Sequence, residues 1–264
     1  SSFNLISMRS IWNGSINFGL VTIPIKLYSG SEERALELDM LDSHDGSRIR
    51  YKRINEKTGK EVEWKDIVKG YKKNDKYIIL EKEDFENANM KKSKTIDIEQ
   101  FVLENEVADV LFKKPYFIQP QKGGEKAYAL LRKALKDKKK LGVATFVMRQ
   151  KEHLSLIGTY KDALVLHVIR FEDEIRNTDE LDLPQLKVSK KELDMAQSLI
   201  EQYTEKFDFK KFKDVYNEQL LKIIESKAKG SHIKRETFES KPTEAKDLMA
   251  QLKASLEKRK KKAS

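Results

Sequence analysis

From Ser15 to Leu27, apolar residues alternate with polar ones: Ile16, Phe18 and Leu20 hold one phase, and Val21, Ile23, Ile25 and Leu27 the other. Alternation marks strand, and the change of phase beside Gly19 predicts a bulge or bend there. Short runs of similar character predict further strands at 49–53, 77–80, 95–102, 116–118, 143–148, 154–157 and 163–171. Many short strands separated by turn residues imply an antiparallel barrel or sandwich, an α+β chain that is mainly β.

Helical spacing replaces alternation in four places. Between Gly124 and Lys140, Ala127, Tyr128, Leu131, Ala134 and Leu135 form one stripe, with Lys126, Arg132, Lys133, Lys136 and Lys138 mostly off it. A capping box, Ser189-Lys190-Lys191-Glu192, flanked by Val188 and Leu193 as a hydrophobic staple, opens a helix whose stripe is Leu193, Ala196, Leu199, Ile200 and Tyr203. A second stripe follows through Phe212, Tyr216, Leu220, Ile223 and Ile224. These faces must be buried on the barrel or on another copy of the chain, and the latter predicts an oligomer. The segment from Ser231 to Glu244 is polar, contains Pro242 and reads as a linker. A short helix with Ala245, Leu248, Met249, Leu252 and Leu256 on one face comes next, and its length in isolation predicts fraying or folding on a partner.

The chain has 264 residues, 53 Lys+Arg against 43 Asp+Glu, and no cysteine. That length is enough for one large domain or two modest ones with a real core. The lack of cysteine excludes disulfides, Cys-ligated zinc, iron–sulfur clusters and a thiol nucleophile, and fits a cytoplasmic protein. No apolar run approaches the ~20 residues of a membrane span. Met8-Arg9 has the form of a natural start, so residues 1–7 are set aside. The excess of positive charge is concentrated at the end: Ser226 to Ser264 has 12 Lys/Arg and 5 Asp/Glu, finishing in Lys258-Arg259-Lys260-Lys261-Lys262. Such a block binds polyanions or merely solubilises a tail.

Most candidate chemistry is missing. Gly14 to Gly19 has the glycine spacing of a phosphate loop, but Leu20-Val21 stand where Lys-Ser/Thr would grip phosphate and magnesium. His44, His153, His167 and His232 are scattered, without a His-x-x-x-His pair. Asp45 with Glu63-Trp64-Lys65 has the form of a nuclease metal core, which in a chain so rich in charge arises readily by chance. No catalytic residue, metal or cofactor is expected.

The informative stretch is Arg48-Ile49-Arg50-Tyr51-Lys52-Arg53. As a strand it sends Arg48, Arg50 and Lys52 to one face, and Lys57, Lys60, Lys65, Lys69, Lys72, Lys73 and Lys76 follow with Trp64 and Tyr71 interleaved. Cations in this density neutralise phosphates by counterion release without reading bases. The same pattern also describes a solvated hairpin balanced by Glu56, Glu61, Glu63 and Asp66, and composition leaves both open.

Longer stretches decide between them by resemblance. Met8-Arg9-Ser10-Ile11-Trp12-Asn13-Gly14-Ser15-Ile16-Asn17-Phe18-Gly19-Leu20-Val21 and Ile23-Pro24-Ile25-Lys26-Leu27-Tyr28 resemble the opening of the bacterial Ku proteins. So do Arg48 to Arg53, Asp66 to Tyr71, Ser93 to Ile96, Ile98 to Phe101, Pro115-Tyr116, Lys122 to Leu131, and Arg149 with Glu152-His153-Leu154. The resemblance spans about Met8 to Gly230. It implies a non-catalytic homodimer whose barrels and bridging arms ring a duplex, thread onto broken ends and recruit the ATP-dependent ligase D for non-homologous end joining. It implies a Ku core with its bridge over residues 8–188, a dimerising helical arm over 189–230, and a linker, helix and basic tail over 231–264. The DNA-binding residues it implies are Arg48, Arg50, Lys52, Arg53, Lys57, Lys60, Lys69, Lys72, Lys73 and Arg149, and the ligase-docking face is Leu248, Met249, Leu252 and Leu256. Some members carry Cys-x-x-Cys near Ile54 to Thr58; this chain has no cysteine there, so zinc does not follow. A cytoplasmic, nucleoid-associated protein is expected. The competing readings are a metal-dependent nuclease using Asp45, Glu63 and Lys65, and a protein that coats the nucleoid without specificity.

Overall fold

The computed structural model describes residues 8–33, 35–88, 94–231 and 242–263. Two compact units divide the chain, Ser1–Asn177 and Thr178–Ser264. In the first, the described strands are β1 (Trp12–Phe18), β2 (Val21–Ser29), β3 (Lys69–Lys73), β4 (Lys76–Leu80), β5 (Thr95–Leu103), β6 (Phe112–Pro120), β7 (Lys140–Met148), β8 (Lys151–Tyr160) and β9 (Ala163–Ile169). Its helices are α1 (Lys82–Ala88) and α2 (Glu125–Lys138). Seven strands close a barrel in the order β1-β2-β6-β9-β8-β7-β5, while β3 and β4 form a separate hairpin. Every barrel pairing is antiparallel except the short parallel one between β1 and β5 that closes it, with Ile16 beside Ile96.

The alternating pattern works as a barrel interior because partners on adjacent strands share a face. Trp12 is opposite Leu27 and Ile16 opposite Ile23, and all four are buried. The phase change beside Gly19 proves to be a hairpin turn rather than a bulge or bend within one strand. Gly19 has φ +58° and Leu20 points fully into solvent, so the inward series restarts on the return strand. Gly14 answers to crowding: a Cβ there would fall 2.2 Å from the Lys94 carbonyl oxygen and 2.4 Å from the Trp12 ring. The glycine spacing that suggested a phosphate loop is thus that of a strand and its turn.

Helix α2 covers part of the barrel, packing against β2, β7 and β8, with Tyr128, Leu131 and Leu135 buried. The Tyr128 hydroxyl donates to the Ile118 carbonyl and accepts from the Leu164 amide, both at 2.8 Å, joining β6 and β9 to the helix. Burial pushes its phenol pKa up.

In the second unit the helices are α3 (Lys190–Tyr203), α4 (Val215–Ala228) and α5 (Leu248–Ala263). The capping box forms as the sequence requires, the Ser189 side chain accepting from the Glu192 amide while Glu192 accepts from the Ser189 amide. Only part of the expected stripe of α3 is covered within the chain. Leu193, Ile200 and Tyr203 remain exposed, whereas Met195, Ala196 and Leu199 are partly covered. The reason is that α3 packs against α5, which is therefore not the isolated helix its length suggested. Phe212 precedes α4 instead of joining its stripe.

Residues 49–53 form no ladder strand. The only ladder pairing there among the described residues is two isolated bridges, Leu41 to Arg48 and Ile54 to Glu61, so no sheet edge lines up Arg48, Arg50 and Lys52. Alternating sequence does not become a strand without a neighbour to pair along its length.

Candidate nucleic-acid interface

Between β2 and the β3–β4 hairpin the chain leaves the barrel strands and builds two small loops on the same plan. In the first, the Asp42 amide donates to the Ser47 carbonyl and the Gly46 amide to the Asp42 carbonyl; in the second, Asn55 donates to Lys60 and Gly59 to Asn55, all at 2.8 Å. Gly46 and Gly59 have φ of +75° and +67°, the left-handed backbone that closes each loop. Asp42 and Asn55 each accept from the amide two residues on, at 2.9 Å. The bond from the His44 amide, and then that from its ring, hold the Asp42 carboxyl below the usual range. This repeat escaped the sequence reading, although Asp-x-x-Asp-Gly followed by Asn-x-x-Thr-Gly is its visible signal.

The hairpin that follows turns through Asn74-Asp75, with φ of 49° and 61°, the left-handed pair that matches strand twist. Tyr77 lies over Gly70, where an added Cβ would meet its ring at 3.4 Å. From Arg48 to Lys76 there are 11 Lys/Arg and 5 Asp/Glu, and Val62 is the one residue of that stretch that is not exposed. A segment with so little buried surface is held by turns and ion pairs rather than by a core.

The cations fall into two groups. Arg48 donates to Asp39 at 2.6 Å and Lys52 to Glu61 at 2.7 Å, and the latter bond raises the Lys52 pKa. Lys65 pairs with Glu63 at 2.7 Å and Lys72 with Asp75 at 3.3 Å. Arg53 stacks on Trp64, 4.6 Å from the ring centroid, a contact the sequence only hinted at. By contrast Arg50, Lys57, Lys60 and Lys73 make no ion pair among the described residues. Lys57 and Lys60 belong to the second loop and Lys73 to the end of β3.

Two further expected residues meet at the foot of the hairpin. Lys69 donates to the Gln150 side chain at 3.0 Å and lies 4.9 Å from the Phe85 ring centroid. Gln150 and Arg149 form the two-residue turn between β7 and β8, with φ of 62° and 52°. Neither is the Asn or Gly that such a turn prefers, so the backbone carries strain there.

The expected nuclease residues are otherwise engaged. Asp45 accepts from the amide and hydroxyl of Ser47, which lowers its pKa, and Glu63 holds Lys65. Among the described residues no group of three or more His, Cys, Asp or Glu could hold a metal ion. Of the expected docking face on α5, Leu248 is exposed while Met249, Leu252 and Leu256 are partly covered. The side chains of 259–262 in the basic block, and most of the 231–244 linker, lie outside the described residues. No described helix is long and apolar enough to cross a membrane.

Comparison with known proteins agrees with this architecture. Residues 17–195 match the family model of the Ku70/Ku80 beta-barrel domain. A Coxiella burnetii protein named non-homologous end joining protein Ku is 37% identical over 97% of both chains. Proteins of the same name from Opitutus terrae and Archaeoglobus fulgidus are 40% and 39% identical over 83% and 95% of this chain, and 80% and 99% of their own. A barrel closed by β1 and β5, a cationic excursion between β2 and β5, and likeness along nearly the whole length of these relatives have one common explanation: the chain belongs to the Ku family.

Proposed function

We propose that the protein binds double-stranded DNA ends without regard to sequence, as a ring-shaped homodimer acting in non-homologous end joining, and that it is a scaffold rather than an enzyme. The observation that carries this reading is the exposed excursion from Arg48 to Lys76, with more than twice as many cations as anions and almost no core of its own. Such a surface suits a phosphate backbone, and its loops and two-stranded hairpin offer no helix to a major groove. Arg50, Lys57, Lys60 and Lys73 are its available phosphate contacts, with Lys69 and Arg149 at its foot, while Arg48, Lys52, Arg53 and Lys72 join by exchanging their present partners.

The exposed Ile200, Tyr203, Phe209, Phe212 and Tyr216 of the helical unit supply apolar surface for a second copy, consistent with a dimerising arm. In this scheme α5, through Leu248, Met249, Leu252 and Leu256, recruits the ATP-dependent ligase D, exchanging its contact with α3 for one with the ligase. A ring has a topological signature. Linear duplex with both ends blocked by bulky caps should bind far more weakly than the same duplex with open ends. Equal binding to capped and open DNA, or to closed circles, would instead establish a coating protein; cleavage with magnesium that is lost in Glu63→Ala would establish a nuclease.

A further inference from the structure

The barrel carries cations of its own at the end from which the excursion leaves. Antiparallel order puts the last residue of β2, the first of β6, the last of β7 and the first of β8 at one end, and parallel pairing with β1 brings the chain back there as β5. Lys113, Lys114, Arg149 and Lys151 therefore share the barrel end that bears the exposed loops and hairpin. Lys113 and Lys151 are engaged there: Lys113 donates to both oxygens of Glu174, at 2.7 and 2.8 Å, and Lys151 stands 3.9 Å from the same carboxylate. Lys114 and Arg149 are exposed and make no ion pair among the described residues.

The strand itself separates Lys114 from Lys113. The pairing of β6 with β9 slips between Phe112 and Lys114, so Lys113 is the extra residue of a bulge and Lys114 keeps the phase of Tyr116. Residues two apart on a strand share a face, and the Lys114 Nζ lies 5.7 Å from the Tyr116 ring centroid. Tyr116 is a core ring, 7% exposed, whose hydroxyl makes no hydrogen bond among the described residues. Burial raises its phenol pKa and the positive charge of Arg149 opposes the rise, so the guanidinium is within electrostatic reach of the phenol. A protonated hydroxyl flanked by an ammonium and a guanidinium offers donors only, which is what the oxygens of a phosphate require. Glu32 and Glu33 line a cavity of about 580 Å³ with Ser31, Lys113 and Lys114, and their charge confines an anion to the side of Lys114 turned toward Tyr116.

We propose that Lys114, Arg149 and the Tyr116 hydroxyl hold a backbone phosphate of the bound duplex, so that the contact surface runs from the excursion onto the end of the barrel. This rests on the DNA-binding reading and deepens it by giving the barrel a contact of its own. Lys69, which donates to Gln150 beside Arg149, joins the foot of the hairpin to the same turn and makes the two stretches of surface continuous.

Fluorescence anisotropy on a linear duplex long enough for one ring provides the test. Tyr116→Phe keeps the ring, its packing and its contact with Lys114, and removes only the oxygen. Its thermal midpoint should equal that of the unaltered protein, because the hydroxyl has no partner among the described residues. Its affinity should fall about 10-fold, from two hydrogen bonds lost per dimer, with the salt slope unchanged because no charge is removed. Lys114→Gln, at an exposed position, should flatten that slope by about 1.8, one phosphate contact in each of two copies. Both losses should be equal on duplexes with phosphorylated and with hydroxyl ends, since a backbone phosphate is present in either. A lowered midpoint or undiminished affinity in Tyr116→Phe, an unaltered slope in Lys114→Gln, or a loss confined to phosphorylated ends would overturn the inference while leaving end binding by the excursion intact. An unaltered protein that does not bind duplex ends would defeat the DNA-binding reading itself.

Discussion

Paired and unpaired cations in the basic excursion should contribute unequally to DNA affinity. Arg50, Lys57, Lys60 and Lys73 have no anionic partner among the described residues, whereas Arg48 and Lys52 are held by Asp39 and Glu61 at 2.6 and 2.7 Å. A cation that meets a phosphate steepens the dependence of log affinity on log salt by about 0.9, so four contacts in each of two copies give a slope near about −7. Replacing Arg50, Lys57, Lys60 and Lys73 by Ala in both copies should therefore flatten the slope by about 7 on a duplex long enough for one ring. Arg48→Ala with Lys52→Ala should flatten it by well under the ~3.6 expected of four free cations. The informative counterpart removes the competing anions: Asp39→Asn with Glu61→Gln releases two cations per copy and should steepen the slope by up to about 3.6. Fluorescence anisotropy between 50 and about 200 mM salt measures all three, since affinity falls by ~10³–10⁵ over that range for six to ten contacts. A slope unchanged by the four-site variant, or flattened by Asp39→Asn with Glu61→Gln, would refute the assignment of these groups.

Tyr128→Phe should cost about 1–3 kcal/mol in denaturant titrations, because it strips a partner from the buried Ile118 carbonyl and Leu164 amide together. Arg149→Asn with Gln150→Gly installs the residues the turn geometry prefers; thermal unfolding should show a gain of about 1 kcal/mol, accompanied by weaker DNA binding as Arg149 and the partner of Lys69 are lost. Burial holds His153 and His167 below the ordinary histidine pKa of 6.5, with Lys151 and Lys113 depressing His153 further against the bond to the Met148 carbonyl and the opposing charge of Glu174. The unfolded chain then takes up protons before the folded one as pH falls below 6.5, so this stability is present above that pH and lost beneath it. The denaturation midpoint should drop between pH 7 and about 5, and His153→Gln with His167→Gln should flatten that drop; an unaltered profile would place the sensitivity elsewhere.

The cations of the proposed interface stand out in the sequence. They could be named because a run such as Arg48 to Arg53 is conspicuous against any background. Which of them are available could not be read, because Asp39 and Glu61 each stand nine residues from the cation they hold. Pairing at that distance depends on how two loops close, and the loops close through backbone bonds and left-handed glycines at Gly46 and Gly59 rather than through any pattern of apolar residues.

What the sequence determined by itself is the set of elements whose signals are local. Alternation specified the barrel strands, a helical stripe specified α2, and Ser189 with Glu192 specified where α3 begins, since each depends on residues within one or two turns of one another. Tertiary structure alone decided the rest. It made the phase change at Gly19 a hairpin, withheld strand structure from 49–53 for want of a pairing neighbour, and turned α3 toward α5 so that Leu193, Ile200 and Tyr203 were left outside. In each case the deciding partner is distant in sequence, and burial rewards the face that finds a neighbour rather than the one with the most regular stripe.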